Sequence, residues 1–138
     1  MYNKSLLTPK RLQCIMEKKG SKALVKYLVE HGADIQEENW KYETPLFNAC
    51  RNRNEPIVNY LVDLGADLNK ENRDGDTSLF IAFIACSKGR ESIIQYLIEH
   101  GADINKENEY GMTPFFQGMF LWKGNHSKIF GETWCRYI

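Results

Sequence analysis

Three histidines, four cysteines and one recurring aspartate are the residues of this chain whose chemistry could be put to use. Asp34, Asp67 and Asp103 each follow Gly-Ala, at intervals of 33 and 36 residues. A catalytic carboxylate pair is asymmetric and local, with neighbours that drive the two pKa values apart, whereas one identical carboxylate per period indicates turn chemistry. His31 and His100 precede the same Gly-Ala-Asp triplets, but the middle copy carries Leu64 there, which breaks any ladder of metal ligands. A cation at such a helix end is favoured by about 0.3–1 kcal/mol through the helix dipole. A zinc site using His126 and Cys135 lacks two further ligands at suitable spacing. Cys50 and Cys86 hold the same place in consecutive copies, and helices packed about 8–10 Å apart keep such residues beyond disulfide reach. With Cys14 and Cys135 they are expected to be reduced, buried thiols. No Gly-rich phosphate loop, nucleophile elbow or metalloprotease helix motif is present. The expectation is a chain that is not an enzyme and takes no cofactor and no metal.

The elements that carry these residues recur with them. LVKYLVEHGADIQEEN (24–39), IVNYLVDLGADLNKEN (57–72) and IIQYLIEHGADINKEN (93–108) are versions of one stretch. In the second copy Ile57, Val58, Leu61, Val62 and Leu64 lie at helical spacing, so a helix with one buried face is predicted. Pro56 suits its first turn and Gly65 suits the left-handed position just past its end. Beyond, Asp67 can bond to turn backbone and Leu68 is a lone apolar residue expected to tuck back under the helices. A shorter signal follows each copy, opening on Thr44-Pro45, Thr77-Ser78 and Thr113-Pro114. Each Thr is expected to act as an N-cap, its oxygen accepting from first-turn N–H groups, and Leu46, Ala49 and Cys50 then face the stack. A fixed period of this size signals a stacked repeat protein in which no unit buries its apolar face alone.

The order of an Asp or Asn, Gly, Thr-Pro-Leu, small residues, an aliphatic helix and Gly-Ala-Asp resembles the ankyrin repeat family. The resemblance implies an all-α dominated repeat solenoid: stacked helix-turn-helix units in an L-shaped array with hairpin loops projecting from one edge. Residues 1–38 read as an N-terminal capping repeat, 39–71 as a full repeat, 72–107 as a repeat with a three-residue longer first helix, and 108–138 as a degenerate or truncated C-terminal repeat. The extra residues lie within 83–88, and Thr8-Pro9 opens a matching long helix with a Leu12, Ile15, Met16 stripe and the polar Lys10 and Arg11 that a cap needs. The family's usual His after Thr-Pro-Leu is Phe at 47, 80 and 116, which predicts a ladder of Phe between repeats in place of a polar network. Tyr42 stands where the hairpin Gly is usual, and since a Tyr at positive φ is strained, another turn is expected there; Gly75 and Gly111 keep the pattern. Residues 126–138 contain no second helix signal. An improvised cap using Phe130, Trp134 and Tyr137, or a truncated array, both remain open, with Trp122 and Trp134 read as packing.

Lys plus Arg and Asp plus Glu number 18 each, which removes the broad positive footprint of a nucleic-acid or anionic-membrane binder. No apolar run has membrane-spanning length, and residues 1–10 lack a signal-peptide core, so a soluble, intracellular, cytoplasmic and monomeric protein is expected. The resemblance implies a protein-binding scaffold whose variable residues, at hairpin tips and on the inner helical face, make the contacts. Those residues are Trp40, Lys41, Tyr42 and Glu43; then Arg73, Asp74 and Asp76; then Glu109, Tyr110 and Met112; the helical face adds Arg51 and Asn52. Trp40 and Tyr42 are the expected anchors, because exposed aromatics dominate interface energies; packing of Trp40 on Arg73 is the competing role. A spacer or fragment of a longer array, or an adaptor recruiting substrates to a separate enzyme, are the alternatives. The family also implies Asn69 and Asn105 as candidate hydroxylation substrates.

Overall fold

The structure, a computed structural model, describes residues 12, 15, 20–85 and 91–121. Among these the chain forms α1 (Lys22–Glu30), α2 (Pro45–Arg51), α3 (Glu55–Asp63), α4 (Ser78–Ala85), α5 (Glu91–Glu99) and α6 (Pro114–Leu121), and no strand. Helices α2, α4 and α6 stack in one layer, and α1, α3 and α5 in a second; α2 pairs with α3, and α4 with α5. Each unit thus leans on its neighbours, as the period requires.

The start and stop signals act as read. At the head of α3, Asn54 Oδ1 accepts from the Ile57 N–H at 3.4 Å, and Pro56 sits in the first turn, where its missing N–H removes no helical bond. The helix turns Ile57, Val58 and Leu61 into the core, each at 1% exposure or less. Burying a side chain of this size contributes about 1.5–3 kcal/mol. Gly65 then adopts φ +91°, and the Ala66 N–H donates back to the Leu61 carbonyl at 3.1 Å. Ala33 to Leu28 and Ala102 to Leu97 close their helices by the same bond at 3.0 Å. Past these stops, Asp34, Asp67 and Asp103 accept from the backbone N–H two residues on, at 2.8, 2.9 and 2.9 Å, and Leu68 and Ile104 tuck inward. The recurring carboxylate is a turn device.

Along the inner layer Leu46, Ala49 and Cys50 are buried, the small residues admitting close helix approach, and Cys50 is a buried thiol outside any disulfide. Leu12 and Ile15 are helical and pack on the same core; the rest of the first helix expected there, and Cys14, lie outside the described residues. α4 is described to Ala85, so its expected extension runs into residues 86–90, outside the described set with Cys86. The tail with His126, Phe130, Trp134, Cys135 and Tyr137 lies outside it as well.

Two expectations about the inner helices need correction. Among the described residues the Thr44 and Thr77 hydroxyls, in residues 2% and 1% exposed, have no hydrogen-bond partner, and of the three Thr only Thr113 caps, accepting from the Phe116 N–H at 3.2 Å. A His three positions on can bond to that Thr hydroxyl, and Phe47 and Phe80 cannot. The expected run of three packed Phe is also incomplete: Phe47 and Phe80 are buried, while Phe116 is 54% exposed.

Neighbouring units are clipped by polar side chains at equivalent positions. Lys70 pairs with Glu38, and Lys106 with Glu71 at 3.2 Å. The Asn69 amide donates to the Gly101 carbonyl at 3.3 Å and accepts from the Asp103 N–H at 2.8 Å. On the outer layer the Tyr96 hydroxyl donates to Asp63 Oδ1 at 2.6 Å, and this bond pushes its pKa up to about 12.

Candidate partner-binding site

Each hairpin is organised by one asparagine. Asn39 Oδ1 accepts from the N–H groups of Lys41 and Glu43 at 2.9 and 3.0 Å. Asn72 does the same for Asp74 and Asp76, and Asn108 for Tyr110 and Met112, all within 2.9–3.0 Å. Short polar side chains that bond their own turn backbone are the residues that hold such loops. Successive hairpins are then tied backbone to backbone: Arg73 N–H to the Lys41 carbonyl, and Glu109 N–H to the Asp74 carbonyl, each at 3.0 Å. The tips form a row whose spacing is held by these main-chain bonds.

On that row Trp40 is 71% exposed, Tyr110 69% and Tyr42 50%; Lys41, Arg73, Asp74 and Glu109 are also exposed, and Met112 is half-buried. Glu43 and Asp76 differ from the expectation of tip residues. Glu43 is 3% exposed and accepts from Arg51 Nη2 at 2.9 and 3.1 Å and from the Asn72 amide at 3.1 Å. Asp76 is half-buried and accepts from the Asn108 amide at 2.8 Å. Burial raises its carboxyl above the ordinary value, opposed by the Asn108 bond and reinforced by Asp74, Glu43 and Glu109. Both carboxylates join one unit to the next, and the signal for this was the Asn that opens every following repeat.

Tyr42 also departs from expectation. It sits at φ +61°, the left-handed backbone that Gly75 and Gly111 adopt at +76° and +74°, so the first hairpin keeps the same turn despite its side chain. The Tyr42 N–H to Asn39 carbonyl bond, at 2.9 Å, holds it there. The Arg73 guanidinium lies over the Tyr42 ring at 5.1 Å, and Lys41 Nζ over Trp40 at 5.0 Å. Arg73, whose packing on Trp40 was the competing role for that tryptophan, lies on Tyr42 instead.

Behind the first tip, a pocket of about 260 Å³ is lined by Asn39, Trp40, Lys41, Glu43, Asn48, Arg51 and Asn52. Five of the expected site residues meet here; Arg73, Asp74, Asp76, Glu109, Tyr110 and Met112 continue along the row instead. Asn48 was missed by sequence reasoning. It sits three residues before Arg51 on α2, which puts both on one helical face, and its Oδ1 accepts from Arg51 Nη1 at 2.7 Å. Arg51 is thereby held by Asn48 and Glu43 while its side chain stays 42% exposed.

The two histidines at helix ends lie against tyrosines one turn earlier, His31 tilted against Tyr27 and His100 stacked on Tyr96, with ring centroids 4.0 Å apart. Their Nδ1 atoms lie 2.7 and 2.8 Å from the Tyr27 and Tyr96 carbonyls. A carbonyl only accepts, so Nδ1 carries the proton in each, and these rings close helix ends. Among the described residues no helix is long and apolar enough to cross a membrane.

Comparison with curated proteins yields no match. The family profile described as ankyrin repeats, in three copies, matches residues 12–108. Members of that family are generally protein–protein interaction modules and typically not enzymes. With three matched copies spanning most of its length, the chain belongs to the ankyrin-repeat family.

Proposed function

We infer that this chain is a non-enzymatic module that binds one or more proteins through its hairpin tips and the adjoining face of α2. One observation carries the reading. Trp40, 71% exposed, is held on a hairpin fixed by Asn39 and by backbone bonds to the next unit, at the rim of a pocket built by α2. A large aromatic kept in water on a rigid support loses little conformational freedom on binding, which is the property of an interface anchor. Tyr42 and Tyr110 extend the same line, at 50% and 69% exposure.

Proximity labelling or a pull-down from the native cell, comparing the intact chain with Trp40→Ala/Tyr42→Gly, tests it. Gly suits position 42 because the backbone there is already left-handed. The double variant should keep its circular dichroism spectrum and lose its partners. Retention of every partner by a folded double variant would falsify the assignment of this surface.

A further inference from the structure

The pocket behind Trp40 has a definite chemistry. Among the described residues its one acid, Glu43, is buried and held by two contacts from Arg51 and one from Asn72, so its charge is offset inside the protein. The uncompensated charge toward solvent is Lys41, exposed beside the Trp40 ring, and next to it lies the outer edge of the Arg51 guanidinium, 42% exposed, whose charge is shared with Glu43. A guanidinium has five N–H donors, more than its contacts to Asn48 and Glu43 employ. These contacts fix its plane before any partner arrives, which lowers the entropy lost on binding. The volume, about 260 Å³, is just below the usual range for ligand pockets and suits a side chain.

Charge also changes sign along the row. Lys41 and Arg73 lie at the first tip and the start of the second, whereas Asp74, Asp76 and Glu109 follow. Asp74 and Glu109 both bear on the Asp76 carboxyl, so these acids form one local field. A partner of uniform charge would be attracted at one end and repelled at the other.

Resting on the binding-surface reading above, we propose that the pocket receives an aspartate or glutamate side chain from a partner segment lying along the tips. An apolar neighbour of that residue packs on Trp40, and the basic part of the segment lies toward the third hairpin. The acid meets Lys41 and Arg51, and the polarity of the row sets the direction of the segment.

A displayed library of random linear peptides, panned against the intact chain, tests this. Enriched peptides should share an acidic residue beside an aliphatic or aromatic one. Fluorescence anisotropy on the best of them should show Lys41→Glu weakening binding about tenfold, since an attraction becomes a repulsion. Changing the peptide's acid to lysine should then restore affinity for Lys41→Glu while weakening it for the unaltered chain. Peptides without a shared acid, an affinity unmoved by Lys41→Glu, or no enrichment at all would overturn the proposal. If Trp40→Ala abolishes binding while Lys41→Glu does not, the surface stands and the acid is wrong. If Trp40→Ala has no effect on peptides that bind, both readings fall.

Discussion

Glu43 and Arg51 form one ion pair with two unequal ends, and the inequality can be measured. Glu43 is 3% exposed, whereas the Arg51 side chain is 42% exposed. Arg51→Gln removes the cation from a carboxylate that water cannot reach. Breaking a fully buried pair this way costs about 3–5 kcal/mol, and the partial exposure of Arg51 reduces the expected loss to about 2–3 kcal/mol. Glu43→Gln keeps the size of the side chain and an acceptor for the Asn72 amide, and the arginine it releases can rehydrate. Its expected cost is about 1 kcal/mol. Urea unfolding followed by circular dichroism at neutral pH should rank Arg51→Gln below Glu43→Gln by about 1 kcal/mol or more, corresponding to about 3–5 °C in Tm. The double variant should lose less than the two single losses combined, because the second change removes the uncompensated charge that the first created. Equal losses for the two single variants, or strictly additive ones, would refute the claim that burial of Glu43 governs this pair.

Three other outcomes follow from the geometry. Gly65→Ala meets no atom within 4 Å and should lose only the cost of left-handed backbone, about 1–2 kcal/mol, whereas Gly75→Ala would place its Cβ 2.8 Å from the Glu109 nitrogen and should lose clearly more in the same urea assay. Thr77→Val replaces a buried hydroxyl that has no partner by a methyl of equal size, so it should stabilise by about 1 kcal/mol; a loss of stability would show that the hydroxyl is bonded after all. Tyr96 is raised above its unfolded value of 10.0 to about 12, so the Asp63 bond contributes fully below pH 10 and is lost as pH rises toward 12. The stability gap between the unaltered chain and Tyr96→Phe should therefore shrink over that interval, and a constant gap would count against the bond.

The repeat frame was legible because its determinants are local. Pro56 and Gly65 bound a helix whose apolar residues share one face, and Asp67 turns the chain on itself; each acts within a few residues, so order along the chain suffices to read it. Gly-Ala-Asp repeats because stacking needs it. The site was legible only as a set of places where the copies differ, and its internal roles were not. Glu43 and Trp40 are three positions apart on one loop, yet one is buried and the other in water.

What separated them is contact beyond the loop itself, within the unit and from the next. Asn72 reaches back to Glu43, and Arg51 folds over from α2, eight residues further on. Tyr42 keeps a left-handed turn that its own type disfavours, since the bond to Asn39 and the arginine stacked on its ring outweigh a local cost of about 1–2 kcal/mol. Thr44 and Thr77 fail to cap although they occupy the capping position. The sequence by itself determined helices, stops, turns and period, all set by neighbours within one turn of chain. Which carboxylate is buried and where the pocket opens depended on side chains farther apart than one turn, Arg51 eight residues from Glu43 within the unit and Asn72 in the next, and only folding and stacking bring those within hydrogen-bond reach.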